Sequence, residues 1–277
     1  MKPLINKIII AKCKKMIKKD PSIIEKATSK EKIKEDLENT RKYHETRDTN
    51  CFNYKDTRYK DTNIEEIKLD KATCWIISRD ENPKDKIIYY MHGGGFAAGS
   101  TCECYEFITR IVKKWHYNVC SVDYRMIPEH NIDEILKDCE DGYNVLLKRY
   151  KNKDICFLGD SAGGHLVFSL SHKLKDDNIS LPGGIVALSP VMQFRRYAYS
   201  YYECSWKTDF GITFGINERV YPSLKGKYDF NHKYVSPLCG DFKDFPKVYI
   251  DASNIESLRD EAKINIKNIK GSIHRRK

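Results

Sequence analysis

The sequence predicts an α/β domain with a mostly parallel sheet and helices on both faces. Three observations predict it. From about residue 64 short apolar runs alternate with helical stretches, a glycine cluster follows one run, and a glycine–serine turn joins another run to a helix. Strands alternating with helices imply right-handed crossovers and a parallel sheet covered on both sides.

Taken in order, residues 1–45 read as helical. Ile5, Ile9, Cys13 and Met16/Ile17 recur at helical spacing with lysines between them. Asp20-Pro21 breaks and restarts the pattern, aspartate suiting an N-cap and proline the first helical position. Ile33, Leu37 and Thr40 mark a second helical face. Residues 1–50 are thus an N-terminal helical segment, and 51–277 the main domain. Within that domain, Ile87–Met91, Asn118–Val122, Ile155–Leu158, Ile185–Leu188 and Val248–Ile250 read as strands. Ile132 to Tyr150 and the stretch after Ser161, with Leu166, Leu170 and Leu174 on one side, read as helices. Residues 193–235, rich in Tyr, Phe and charge with weak periodicity, read as an insertion.

At 277 residues the chain is ample for a sizeable core. Its net charge of +10 lies at the ends: residues 1–45 and 263–277 carry +6 each, leaving −2 for the middle. A nucleic-acid-binding domain would carry that charge on its folded face, among aromatics. Solvated ends fit better, with peripheral contact of the basic N-terminal helix to an anionic membrane as the sharper reading. No stretch approaches the ~18 apolar residues of a spanning helix, and Lys7 and Lys12 bracket Ile8–Ile10 too closely for a signal peptide. A cytoplasmic location, or one at a membrane surface, is the expectation. The 10 cysteines contain no C-x-x-C pair and read as structural; no metal or organic cofactor is implied.

The chemistry lies in two motifs. Gly159-Asp160-Ser161-Ala162-Gly163 follows a strand and opens a helix. A serine on such a sharp turn exposes its hydroxyl above the sheet, and the helix N-terminus behind it favours developing negative charge. His92-Gly93-Gly94-Gly95 follows the strand ending at Met91. Its backbone N–H groups suit the oxyanion of acyl transfer, and no G-K-[ST] follows to make it a phosphate loop. His92 orients this loop rather than acting as a base.

These motifs, with Asp123-Tyr124-Arg125-Met126-Ile127-Pro128-Glu129-His130, Ser189-Pro190, Ser236-Pro237-Leu238 and Phe245-Pro246, resemble the hormone-sensitive-lipase branch of the α/β-hydrolases. The resemblance runs from about residue 64 to 262. It implies Ser161 as nucleophile and the N–H groups of Gly94, Gly95 and Ala162 as oxyanion donors. It makes the Asp123–His130 segment structural, so Asp123 and Glu129 are not candidates for the acid. It also implies a helical cap formed by the N-terminal segment and the 193–235 insertion.

Glu256-Ser257-Leu258-Arg259-Asp260-Glu261 resembles the family's D-P-L-x-D-E, with Glu256 at the acid position and Asp260 in reserve. Glutamate can orient a histidine as aspartate does. The family's histidine follows one more helix and strand, usually as H-G-F. Here a helix from about Leu258 to Lys270 leads only to a basic tail, where His274 is the sole histidine after the acid. His116, His165 and His172 read as helix or loop surface, His232 lies in the insertion, and His44 and His130 have no motif leading to the serine. No final strand follows, so the expectation is that either the C-terminus is truncated, leaving an unpaired sheet edge, or a divergent C-terminus supplies the base some other way, His274 fitting by chain order alone, or the protein no longer catalyses. The expected function is hydrolysis of a small-molecule carboxylic ester through an acyl-enzyme on Ser161. The alternative is a catalytically impaired homologue that binds small molecules.

Overall fold

A computed structural model of the protein describes residues 61–194, 220 and 222–273, with isolated positions 35, 38, 39 and 42; at 265, 266, 268 and 270–273 it describes backbone alone. The N-terminal segment, most of the 193–235 insertion, and the tail with His274 therefore lie outside the described residues, and the expected cap with them.

Seven strands form one sheet: β1 (Asn63–Lys68), β2 (Thr73–Ser78), β3 (Ile87–Met91), β4 (Asn118–Asp123), β5 (Ile155–Asp160), β6 (Gly184–Leu188) and β7 (Lys247–Asp251). Their spatial order is β1, β2, β4, β3, β5, β6, β7. The pairs β1–β2 and β2–β4 are antiparallel, and every pair from β4 to β7 is parallel. The central strands are apolar runs because both their faces are covered. Tyr89, Met91, Val119, Cys120, Val122 and Phe157 are all completely buried.

Helix α1 (Tyr105–Lys114) packs Ile108, Ile111 and Val112 on one face, against Ile77, Tyr90, Val119 and Leu158. The other face carries α2 (Ile132–Leu147), α3 (Ala162–Asp176) and α4 (Arg259–Ile273) over the larger core. Asn131 starts α2 with a full capping box: its side chain accepts from Asp133 N–H, and the Glu134 carboxylate accepts from Asn131 N–H.

Sequence patterning did not reveal β1, β2 and α1. β1 holds only two apolar residues, Ile64 and Ile67, as an edge strand in water does. In α1 the β-branched Ile108, Thr109, Ile111 and Val112 hide a helical face behind strand-like residue types. The expectation that His165 and His172 sit on a surface is corrected. Both are buried, because α3 has no solvent side: loops 189–194 and 234–245 cover the flank that faces away from the sheet. Among the described residues the sheet ends at β7, followed by α4, and no helix is long and apolar enough to cross a membrane.

Candidate active site

Ser161 stands at the carboxyl end of β5, the N-cap position of α3, with φ 52° and ψ −113°. That left-handed conformation is costly for a residue with a Cβ, and its surroundings enforce it. Ser161 N–H donates to Leu188 O at 2.8 Å, while Ser161 O accepts from His165 N–H and Val191 N–H. The hydroxyl makes no cap hydrogen bond, so it is not spent on starting the helix. Glycines flank it for steric reasons. A Cβ on Gly163 would overlap the Met91 carbonyl, and one on Gly159 would overlap the Gly163 carbonyl.

The glycine loop follows β3, the strand beside β5. Gly94, Gly95 and Phe96 take φ of 117°, 64° and 63°, which turns the chain sharply back on itself. Among the described residues the N–H groups of Gly94, Gly95 and Ala162 make no hydrogen bond, so all three predicted oxyanion donors are unspent. Ala162 N–H also opens α3, where the helix dipole favours negative charge.

Sequence reasoning overlooked what holds this loop. Asp160 Oδ1 accepts from Gly93 N–H at 3.1 Å and from Tyr90 O–H at 2.6 Å. Burial and the Asp160 carboxylate hold the Tyr90 phenol well above its usual pKa, so it stays a donor. Asp160 is the variable residue of the serine motif, which was the available signal. His92 orients the loop as expected: its ring stacks on Tyr124 with centroids 4.2 Å apart, and Nδ1 lies 2.7 Å from Gly93 O. Tyr124 O–H donates to His92 O, and Asp123 accepts from Thr101 N–H and Trp75 Nε1–H, so this segment is structural as expected.

Glu256, the predicted acid, lies past the carboxyl end of β7. Its carboxylate accepts from the Ser189 hydroxyl at 2.7 and 2.9 Å and from Ser253 N–H at 2.6 Å. Ser189 N–H donates to Asp251 O, and Ser189 directly follows Leu188, whose carbonyl holds Ser161 N–H. One short path therefore links the predicted nucleophile to the predicted acid across the ends of β5, β6 and β7. Asp260, the reserve, instead accepts from Arg259 Nε at 2.9 Å. Buried Glu261 accepts from Met192 N–H at 2.8 Å. Burial pushes its carboxyl up to about 8, against the Met192 and Gln193 N–H groups, which favour ionisation.

None of the six described histidines supplies a base. His165 sits one turn after Ser161 with its nitrogens 3.0 Å from Val191 O and 2.9 Å from Tyr234 O, edge-on to Phe96. Burial pushes it down to about 4, despite two carbonyls that favour the charged form. His172 faces Pro237 O, and burial pushes it down to about 3. His130 is held by Glu134, His232 Nδ1 accepts from Tyr234 N–H, and His92 lies beneath the glycine loop. His116 precedes β4, at the opposite end of the sheet from Ser161.

A family model described as alpha/beta hydrolase fold matches residues 88–272. The carboxylesterase/phospholipase LipF of Mycobacterium tuberculosis is 33% identical over 135 residues, which are 47% of this chain and 36% of that protein. An esterase of Acinetobacter venetianus is 28% identical over 180 residues, 64% of this chain and 59% of its own length. The chain thus spans between about a third and three fifths of these two relatives. A crystal structure of a hormone-sensitive lipase from a metagenome library superposes with a TM-score of 0.76 at 25% identity, covering 85% of this chain and 77% of that one.

Proposed function

The chain belongs to the alpha/beta hydrolase fold family, and from that membership we propose that it is a serine carboxylic-ester hydrolase acting through Ser161. The observation that carries this reading is the strained Ser161 turn, with an unspent hydroxyl beside three unspent N–H groups. Ser161 Oγ attacks the ester carbonyl carbon and passes its proton to a general base. The carbonyl oxygen becomes an oxyanion received by the N–H groups of Gly94, Gly95 and Ala162, and is worth roughly 3–4 kcal/mol of barrier for each donor. The alcohol then leaves with a proton, and water hydrolyses the acyl-serine. Glu256 orients the base, and chain order offers His274 for that role.

A second reading, a pocket that binds esters without turning them over, draws support from the contacts that hold His92, His130, His165, His172 and His232 elsewhere and from the place of His116 before β4, at the other end of the sheet. A fluorophosphonate probe separates the two. Labelling at Ser161 in intact protein, abolished by Ser161→Ala and accompanied by hydrolysis of short-chain p-nitrophenyl esters, supports the enzyme. Labelling without hydrolysis supports the binding protein. Folded protein that stays unlabelled would sink the nucleophile.

A further inference from the structure

The segment from Ser189 to Gln193 is an uncharged strap that touches both the serine turn and the acid. Val191 N–H donates to Ser161 O at 3.2 Å, and the Ser189 hydroxyl grips Glu256. The peptide unit joining Val191 to Met192 is fixed at both ends, from two different helices. Its C=O lies 3.0 Å from His165 Nδ1 on α3, and its N–H donates to Glu261 Oε2 on α4 at 2.8 Å. Gln193 N–H faces the same carboxyl.

Given Ser161 as the ester-attacking nucleophile proposed above, we propose that Glu261 is a positioning residue for that reaction. It pins the strap through the Met192 and Gln193 amides, and the strap keeps Ser161 and Glu256 in their mutual placement. As a neutral acid, Glu261 accepts from these amides without putting charge behind the serine turn, and burial keeps it neutral up to about 8. Above that pH a carboxylate arises inside the protein. It opposes the negative charge that develops on the ester oxygen when Ser161 attacks.

Among the described residues no charge cancels it. On α3 the titratable neighbour is His165, whose ring lies between Val191 O and Tyr234 O and which burial pushes down to about 4. Ahead of Glu261 in the chain, Glu256 is held by Ser189 and Ser253, and Arg259 pairs with Asp260. The turn Pro237–Cys239, packed on α4, brings only a thiol. Asp251 at the end of β7 and Lys263 on α4 are exposed.

The pH profiles of p-nitrophenyl ester hydrolysis and of fluorophosphonate labelling at Ser161, on the full chain, test this. In the wild type kcat is expected to fall about tenfold between pH 7 and 9.5 with KM little changed, and the Met192 and Gln193 amide resonances should titrate with the same midpoint. Glu261→Leu, which removes the acceptor, should be about tenfold slower at pH 7. Glu261→Gln keeps an oxygen for Met192 N–H and cannot ionise, so it should recover most of that loss and show no alkaline fall. Circular dichroism at both pH values checks folding, and if a variant misfolds the wild-type profile and the two amide titrations carry the test. A wild-type rate that does not fall above pH 8, a fall that survives in Glu261→Gln, or amides that fail to titrate with it would overturn the proposal and leave the nucleophile standing. Folded protein that neither labels nor hydrolyses at any pH would instead strike Ser161 as nucleophile, and this role of Glu261 with it.

Discussion

The Ser189 hydroxyl donates to both carboxylate oxygens of Glu256, at 2.7 and 2.9 Å. A glutamate side chain has one more rotatable bond than an aspartate, and this bifurcated contact fixes where its carboxylate sits. Ser189 is itself held in a left-handed conformation, φ 45°, by the Asp251 carbonyl.

Ser189→Ala should therefore loosen Glu256 while leaving the substrate contacts intact. Under the proposed function we expect kcat for ester hydrolysis to fall about tenfold with KM unchanged, since hydrogen bonds to charged groups contribute about 1.5–3 kcal/mol. Ser189→Thr, which keeps the hydroxyl, should recover most of the loss. Steady-state kinetics of the two variants checks this.

At Asp160, alanine and asparagine should differ. Asparagine keeps an oxygen for Gly93 N–H and Tyr90 O–H, whereas alanine leaves both donors without it. We expect Asp160→Ala to cost about 1–3 kcal/mol of stability in urea denaturation and Asp160→Asn distinctly less. The rate of fluorophosphonate labelling should follow the same order.

Gly163→Ala puts a methyl group against the Met91 carbonyl, a backbone atom inside the central sheet. A flexible side chain could give way, but this strand cannot. We expect about 3 kcal/mol of destabilisation, the upper end of what overpacking costs, measured as a shift in the urea midpoint at constant m-value.

Glu261 should make stability depend on pH. Its folded pKa, about 8, lies above the unfolded carboxylate value, so the folded state holds the proton more tightly. From that group, stability is fully present below the unfolded pKa of about 4.3 and is lost as pH rises toward 8. Between pH 5 and 8 the wild type should lose on the order of a few kcal/mol relative to Glu261→Gln. Urea denaturation of both proteins across that range gives the difference directly.

The buried histidines act in the opposite direction. Their folded pKa values, about 4 for His165 and about 3 for His172, lie below the unfolded value of about 6.5. The stability they contribute is intact above pH 6.5 and is lost as pH falls, at roughly 1.4 kcal/mol per unit for each. His172→Gln should reduce the loss between pH 7 and 5 by one such contribution, read from the same titrations.

How much of this could be read in advance depends on which contacts are local. β3 and β5 were legible because strands covered on both faces are continuous apolar runs, and Ser161 because its turn needs glycines at fixed spacing. β1 was not, because an edge strand can be almost wholly polar. His165 and His172 were misread because helical periodicity assumes one solvent side, and α3 has none. The Ser189–Glu256 contact joins residues 67 apart in the chain, and no local pattern encodes it. Asp160 lay in view, but its work is done on the neighbouring strand.

The enclosure of α3 ties the lifetime of the site to that of the fold. Loops that open locally lend many proteins a partly unfolded state in which a site is lost and regained. Here the helix behind Ser161 is gripped on every side, by β5 and β6, by α2, and by the loops that meet His165 and His172. Amide protons along α3 should accordingly exchange only when the whole sheet comes apart. The serine turn has no private way to melt: it endures for as long as the molecule does, and fails with it.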